Sequence, residues 1–330
     1  MKIFLTGGAG YIGSEAAREL LRAGHRLTVY DSLVTGHHAA IPPEARFIRA
    51  DLADRQALEA ALAAEPPDAV MHFASFIEAG ESMTDPGKYF HNNVALSFGL
   101  IEAAVRAGVR RFVLSSSAAV YASSDEPLTE EAPLGPANVY GQTKRMVEEA
   151  LEWYRRLSGL RFAAFRYFNA AGATPGYGEN HVPESHLIPL VLRVALGKQR
   201  EAHIFGTDYP TPDGTCIRDY IHITDLVSAH LLALAALESH DRLIYNLGNG
   251  SGYSVLQVIE AARQVTGLPI PAVHAPRRPG DPPRLVASSE KIRRELGWKP
   301  RHPALDDIVA SAWEWHRSYP DGYSQDQPPG

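Results

Sequence analysis

The chain has a single cysteine, Cys216, in 330 residues. It can form neither an internal disulfide nor a cysteine-rich metal site, and a cytoplasmic, reducing compartment is expected. It also has no basic excess. Its 32 Lys and Arg stand against 38 Asp and Glu, a formal charge of −6, so no surplus exists to neutralise a nucleic-acid backbone. No apolar run approaches the roughly 20 residues of a membrane span, and the most apolar helix candidate, 226–237, carries His230. The first six residues run into glycines too soon for a signal peptide. No metal site is expected: apart from the adjacent His37 and His38 the histidines are scattered, with no H-x-x-x-H or H-E-x-x-H pattern on a helix. What remains is an ordinary globular composition, 45% hydrophobic and 21% charged, which excludes disordered and collagen-like chains.

Short, near-continuous apolar runs at 2–6, 26–31, 46–50, 69–73, 111–115 and 162–167 read as parallel strands covered on both faces. Helical patterns at 12–23, 54–64, 94–107 and 140–157 lie between them. Repeated β-α-β units imply an α/β fold with a doubly wound parallel sheet. The rhythm breaks after residue 170 in a Gly- and Pro-rich stretch, 171–183. We therefore expect a nucleotide-binding domain over 1–170. A smaller C-terminal substrate-binding lobe is expected over 171–330, with later elements such as 243–247 returning to the first domain.

The first strand leads into Gly7-Gly8-Ala9-Gly10-Tyr11-Ile12-Gly13. Glycines at 7, 10 and 13 let the backbone approach a pyrophosphate, and the following helix offers free N–H groups and a positive dipole end. Strand before and helix after make this a Rossmann-type dinucleotide site. Asp31 ends the second strand, where a carboxylate binds a ribose diol and repels a 2′-phosphate, so NAD is favoured over NADP. Asp51, before Leu52, suits either the adenine amino group or the N-terminus of the next helix.

The fifth strand runs into Ser115-Ser116-Ser117, at the sheet edge where such folds bind ligands. Tyr140 and Lys144, four apart, share one helix face. A tyrosine ordinarily titrates near about 10. A nearby ammonium and a cationic nicotinamide both favour phenolate, and moving the pKa to about 7 takes roughly 4 kcal/mol. Ser117 then holds a substrate hydroxyl against the phenol.

These features resemble the extended short-chain dehydrogenase/reductase family, and within it the UDP-glucose 4-epimerase group. The likeness runs from the glycine turn through Leu114–Tyr121 (LSSSAAVY), Tyr140-x-x-x-Lys144, Arg166–Asn169 (RYFN), Arg218–His222 (RDYIH) and Tyr245–Gly248 (YNLG) to Pro276–Asp281 (PRRPGD). The resemblance implies an NAD-dependent isomerase of carbohydrate metabolism. Tyr140 takes the proton of the sugar 4-hydroxyl, hydride is lent to bound NAD, and the 4-keto sugar turns before hydride returns. Lys144 lowers the pKa of Tyr140, and Ser117 positions the 4-oxygen. It implies cofactor contacts from Gly7, Gly10, Tyr11, Ile12, Gly13, Asp31, Ser32, Leu33, Thr35 and Gly36. Further cofactor contacts are Asp51, Leu52, Phe73, Ala74, Ser75, Asn92, Tyr140, Lys144 and Phe168. Contacts to the UDP-hexose come from Ser117, Tyr140, Asn169, His186, Leu187, Phe205, Arg218, Arg278 and Asp281. A homodimer is implied through the helices at 94–107 and 140–157, where periodicity alone does not explain Phe98, Leu100 and Trp153.

Four features depart from the pattern. Ala118-Ala119 follow Ser117, where some relatives carry a threonine. Ile77 replaces a frequent cofactor-contacting lysine, so weaker NAD binding is expected unless another group compensates. His186 stands where some relatives place Asn, and a purely structural histidine fits there too. Leu285 replaces a bulky tyrosine, which makes room for N-acetylated UDP-hexosamines beside UDP-glucose and UDP-galactose. Three other readings share the fold. A 4,6-dehydratase needs a carboxylate pair where the alanines stand. An epimerase of another UDP sugar fits the same motifs. A non-catalytic NAD-binding regulator has no need of Ser117, Tyr140 and Lys144 together.

Overall fold

The computed structural model describes residues 1–278 and 281–323. The strand β1 (Lys2–Thr6), buried from Ile3 onward, feeds the helix Tyr11–Arg22. Then come β2 (Arg26–Asp31), β3 (Arg46–Arg49), β4 (Ala69–His72), β5 (Arg111–Ser117) and β6 (Arg161–Tyr167). A seventh strand, Arg242–Leu247, pairs in parallel with β6. Across the sheet the order is Arg242–Leu247, β6, β5, β4, β1, β2, β3, with every pair parallel. This is the doubly wound α/β sheet expected from the alternating pattern. The chain leaves β1 in one direction and returns to its other side with β4, which makes a crevice at their carboxyl ends.

Successive strand residues point to opposite faces, and the two cores follow that alternation. Leu5 and Val29 pack with Leu20, Leu226 and Ile292 from the helices Tyr11–Arg22, Ile223–Ala236 and Glu290–Leu296. Phe4, Val70 and Phe112 pack with Leu58, Ile101 and Leu151 from Arg55–Ala64, Leu96–Arg106 and Val139–Ser158. A third core unites the helices Leu187–Ala195, Val255–Thr266 and Leu305–Ser318. Beside it the strands Ala202–Phe205 and Ala272–Ala275 pair in parallel.

Two differences from the sequence reading bear on the site. Strand β5 extends to Ser117 because backbone pairing continues to Tyr167, beyond the apolar residues that marked it. The helix expected from residue 94 is preceded by the helical turn Pro86–Tyr89 and the π-helical stretch Phe90–Ala95. Such stretches favour functional sites because they re-aim side chains. Here buried Asn93 donates to Phe76 O at 2.9 Å and accepts from Phe76 N at 2.9 Å. It also donates to Thr143 Oγ1 at 3.3 Å, tying the loop after β4 to the helix Val139–Ser158.

That helix is set firmly. Asn138 Oδ1 accepts from Gly141 N at 2.8 Å at its start. Buried Val147 and Leu151 hold it to the sheet, each contributing about 1.5–3 kcal/mol. Gly141 allows the helix to touch the end of β5: a Cβ there would lie 2.1 Å from Ala119 O. No helix among the described residues is long and apolar enough to cross a membrane.

Candidate active site

A cleft of about 750 Å³ lies over the carboxyl ends of β1, β4 and β5. Gly7, Gly10, Tyr11, Ile12 and Gly13 form one wall. Gly7 has φ +74°, and a Cβ on it would lie 2.4 Å from Ala74 N; a Cβ on Gly13 would lie 2.0 Å from Gly7 O. The bare turn is thus enforced, and it leaves the N-terminus of Tyr11–Arg22 open to a phosphate. Asp31 sits beside it. Its Oδ2 accepts from Ala9 N at 3.0 Å and its Oδ1 from Leu33 N at 2.8 Å. Burial pushes its carboxyl up, and those two amides oppose the shift. The donors and spaces fit a dinucleotide with an unsubstituted ribose diol.

Ser32, Thr35, Gly36, Asp51 and Leu52 continue the same wall, and Phe73, Ala74, Ser75, Asn92 and Phe168 also line the cleft. Leu33 does not. Its side chain packs against the sheet core, and its backbone, at φ 62°, steers Asp31. Asp51 combines both of its readings: it lines the cleft while its Oδ1 accepts from Ala53 N at 2.8 Å in the turn before the next helix. Ile77 lines the cleft, 37% exposed. Lys88 lines it as well, with Nζ 2.7 Å from Glu81 Oε1 and 4.3 Å from the Phe76 ring centre. A cation is therefore present, supplied from another element.

Ser117 and Tyr140 meet on the cleft floor. Burial pushes the Tyr140 phenol up to about 12, a hydrogen bond with Ser117 draws it down, and the charge of Glu78 raises it. The protein's own groups therefore keep Tyr140 protonated, contrary to the ionisation that the Tyr-Lys spacing suggests by itself. Lys144 does not line the cleft. It is buried beneath the tyrosine, its Nζ 5.7 Å from the Tyr140 ring centre and donating to Ser115 O at 2.9 Å. Burial pushes its pKa down to about 7, opposed by Glu148.

The buried lysine carries a stability cost with a definite pH dependence. The unfolded chain holds its proton up to the ordinary value of 10.5. The folded chain gives it up near 7, so the cost is full below pH 7 and fades as pH rises to 10.5. Lys144→Met is expected to raise the unfolding midpoint at pH 6–7, with the gain shrinking towards pH 10. Thermal melts at several pH values check this; a gain that grows with pH would refute the assignment.

Glu148, one turn beyond Lys144, belongs to a buried network. It accepts from Arg166 Nη2 at 2.7 Å and from Arg166 Nε at 3.1 Å, and Ser116 donates to it as well. Arg166 also donates to Tyr121 OH at 2.8 Å, which donates to Asn246 Oδ1 at 2.7 Å.

The sugar-side residues divide into two groups. Asn169 and His186 line the cleft, and Asn169 Nδ2 donates to Asp219 O at 2.9 Å. Leu187 instead begins the helix Leu187–Ala195 and packs against the third core. Phe205, Arg218, Arg278 and Asp281 lie outside the cleft wall and gather in the second lobe. Arg218 Nη2 donates to Asp281 Oδ1 at 3.0 Å, and the Arg278 guanidinium lies 4.0 Å from the Phe205 ring centre. Leu285 pairs in register with Arg218 and packs against a cluster that includes Ala118 and Phe168. It thereby connects the second-lobe group to the catalytic strand end.

Several residues of the site escaped sequence reasoning: Gly141, Asn93, Lys88, Glu78 and Glu148. Gly141 is an unspecified position within the Tyr140-x-x-x-Lys144 spacing, and the others stand in no motif that advertises chemistry. Glu78 accepts from Ser185 Oγ at 2.6 Å, joining two walls of the cleft across 107 positions of sequence.

A dinucleotide cradle in one cleft with Ser117 and Tyr140, and with Lys144 buried beside the tyrosine, defines a Rossmann-type enzyme that handles hydroxyl and carbonyl groups. The chain belongs to the NAD dependent epimerase/dehydratase family, whose model matches residues 3–248. It is similar to the UDP-glucose 4-epimerase of Streptococcus mutans, at 50% identity over 98% of this chain and 99% of the relative. Its structure is similar to that of UDP-glucose 4-epimerase from Bifidobacterium longum in complex with NAD+ and UDP (TM-score 0.93, 35% identity, 98% of this chain and 100% of that one). It is also similar to the UDP-Glc/GlcNAc 4-epimerase from Campylobacter jejuni (TM-score 0.85, 40% identity, 96% and 99%).

Proposed function

We infer that this protein catalyses the reversible 4-epimerisation of UDP-glucose and UDP-galactose, with NAD as a tightly held cofactor. The observation that carries the reading is the meeting of Ser117 and Tyr140 above buried Lys144, in the same cleft as the Gly7–Gly13 cradle. The Gly7–Gly13 cradle and Asp31 would hold NAD, which when bound would supply a reversible hydride acceptor for the sugar C4 and a positive ring charge. Tyr140 takes the 4-hydroxyl proton and returns it to the reduced 4-keto sugar. Ser117 holds the 4-oxygen in place. Lys144, when protonated, stabilises the phenolate form of Tyr140. Arg218 and Arg278 suit the pyrophosphate because a guanidinium fork matches phosphate oxygens. Asp281 suits the uridine ribose and Phe205 the uracil face. Holding the UDP part in the second lobe leaves the hexose free to turn between Asn169, His186 and the phenol.

Ala118 and Ala119 offer no acid–base carboxylates for elimination, which disfavours the dehydratase chemistry found within the same family. The side chain at 285 favours a wider substrate range, because leucine leaves the 2-substituent more room than tyrosine. The wild type is expected to turn over UDP-GlcNAc and UDP-GalNAc as well. Leu285→Tyr is expected to cut turnover of the acetylated pair at least tenfold while sparing UDP-galactose, as paired kinetic assays will measure.

We read the protein as a cytoplasmic homodimer. Leu100 is fully buried, and Phe98 is partly buried against its own sheet core. Trp153 and Leu157, 60% and 81% exposed on the helix Val139–Ser158, supply the apolar surface. Trp153→Glu is expected to yield monomers in analytical ultracentrifugation.

The functional reading is tested by an NMR time course of purified protein with UDP-galactose and no added cofactor. UDP-glucose is expected to appear. No conversion even with saturating NAD would move the reading to another UDP sugar or to a regulator.

A further inference from the structure

The loop between the sheet and the second lobe brings together four side chains that the proposed reaction does not use as a set: Glu179, His181, Glu184 and His186. One donor atom from each lies within 4.8 Å of all the others. His186 Nδ1 is 2.9 Å from Glu179 Oε1 and 3.0 Å from Glu184 Oε1. His181 Nδ1 is 3.2 Å from Glu179 Oε1 and 3.9 Å from Glu184 Oε2. Ligands placed tetrahedrally at roughly 2.0–2.1 Å from a zinc-like ion are about 3.3 Å apart; the contacts of both histidines with Glu179 Oε1 lie near that value, and Glu184 turns one oxygen to each histidine.

Burial sharpens the point. The side chains of Glu179 and Glu184 are only 6% and 1% exposed. Glu184 Oε2 and His181 Nδ1 have no hydrogen-bond partner, although both are buried and face the same centre. Glu184 Oε1 accepts from the backbone N–H of Ser185 at 2.8 Å and of His186 at 2.9 Å, which fixes the carboxylate's direction. Glu179 and Glu184 place two carboxylates largely out of water, a costly arrangement unless positive charge compensates them.

We propose that Glu179, His181, Glu184 and His186 bind one divalent transition-metal ion of the zinc type. Four protein donors describe a closed, structural site rather than a catalytic one with an open position. The ion would clasp the 179–186 loop at the wall of the cleft. Bound through Nδ1, His186 keeps Nε2–H on the opposite edge of its ring as a fixed donor. The absence of any helical H-x-x-x-H pattern gave the contrary expectation, because here both histidines lie in a loop and the carboxylates complete the set.

The test uses the full chain without a histidine tag, first stripped with a chelator, then given Zn²⁺ or Co²⁺ alone. One Zn²⁺ per chain is expected to survive dialysis, and Co²⁺ is expected to give the visible absorption of a four-coordinate site. Glu184→Gln and His181→Ala should each weaken binding at least 100-fold, while His274→Ala, in the second lobe, leaves it unchanged. Hydrogen exchange across residues 179–186 should slow on adding Zn²⁺ to the wild type and not to Glu184→Gln, a readout that does not depend on turnover. Binding below one ion per chain, or binding that persists in both ligand variants, would overturn the proposal. Conversion of UDP-galactose by the metal-free enzyme would leave the functional reading intact, so the two fail separately.

Discussion

Tyr140→Phe is expected to lower kcat by roughly 10²–10⁴-fold, the usual contribution of a positioned acid–base group, while the fold and the bound cofactor survive. The substitution deletes one oxygen at the meeting point with Ser117 and leaves the ring that packs beside Lys144. Cofactor content is read by absorbance after denaturation and turnover by the NMR assay. The structure adds a condition on the wild type. With the phenol at about 12 and the lysine at about 7, ionisation of Tyr140 depends on positive charge brought into the cleft. The UDP-sugar is itself an anion, so that charge has to come from the bound cofactor. If Tyr140→Phe retained more than a tenth of wild-type kcat, another base would have to be sought, and Glu78 would be the first candidate.

Glu148→Ala is expected to have the largest effect on stability. It strips the buried Arg166 guanidinium of its carboxylate, with both side chains in the wild type only 4% and 6% exposed. Breaking such a pair from one side costs about 3–5 kcal/mol. The same change removes the charge that holds the Lys144 pKa up, so less of the lysine is protonated at pH 7 and kcat falls too. The double variant Glu148→Met with Arg166→Met separates the effects. Replacing both partners by apolar groups should recover most of the stability, while kcat stays low. Urea unfolding curves and kcat, measured on the single and double variants, check both statements. Recovery of kcat together with stability would contradict the role given to Glu148.

The sheet was legible because its strands are short apolar runs whose residues are buried on both faces, as β4 (AVMH) illustrates. The glycine turn, Asp31, Ser117 and Tyr140 were legible because each sits at an element boundary with a physical reason for its type. The neighbours that give these groups their properties were less legible. Glu148 reads as one more charge on an exposed helix, yet its partner Arg166 comes from a strand 18 positions on. Lys88, paired with Glu81, brings a cation to the cleft wall that Ile77 leaves uncharged, from a turn whose helical character depends on tertiary contacts. Leu33 and Leu187 were expected at the site from the resemblance, and their side chains turn instead into hydrophobic cores. The loop carboxylates and histidines at 179–186 converge only because the chain folds back on itself there, which no periodicity records.

The central claim is that C4 is oxidised and reduced again within one closed site. UDP-galactose carrying deuterium at C4 tests it most directly. Because the hydride taken from C4 returns to C4, the UDP-glucose formed in ordinary water should retain essentially all of its deuterium there. Loss of the label to solvent at the rate of epimerisation would mean that C4 exchanges as a proton, and the account of Tyr140, Ser117 and the cofactor cradle would be wrong.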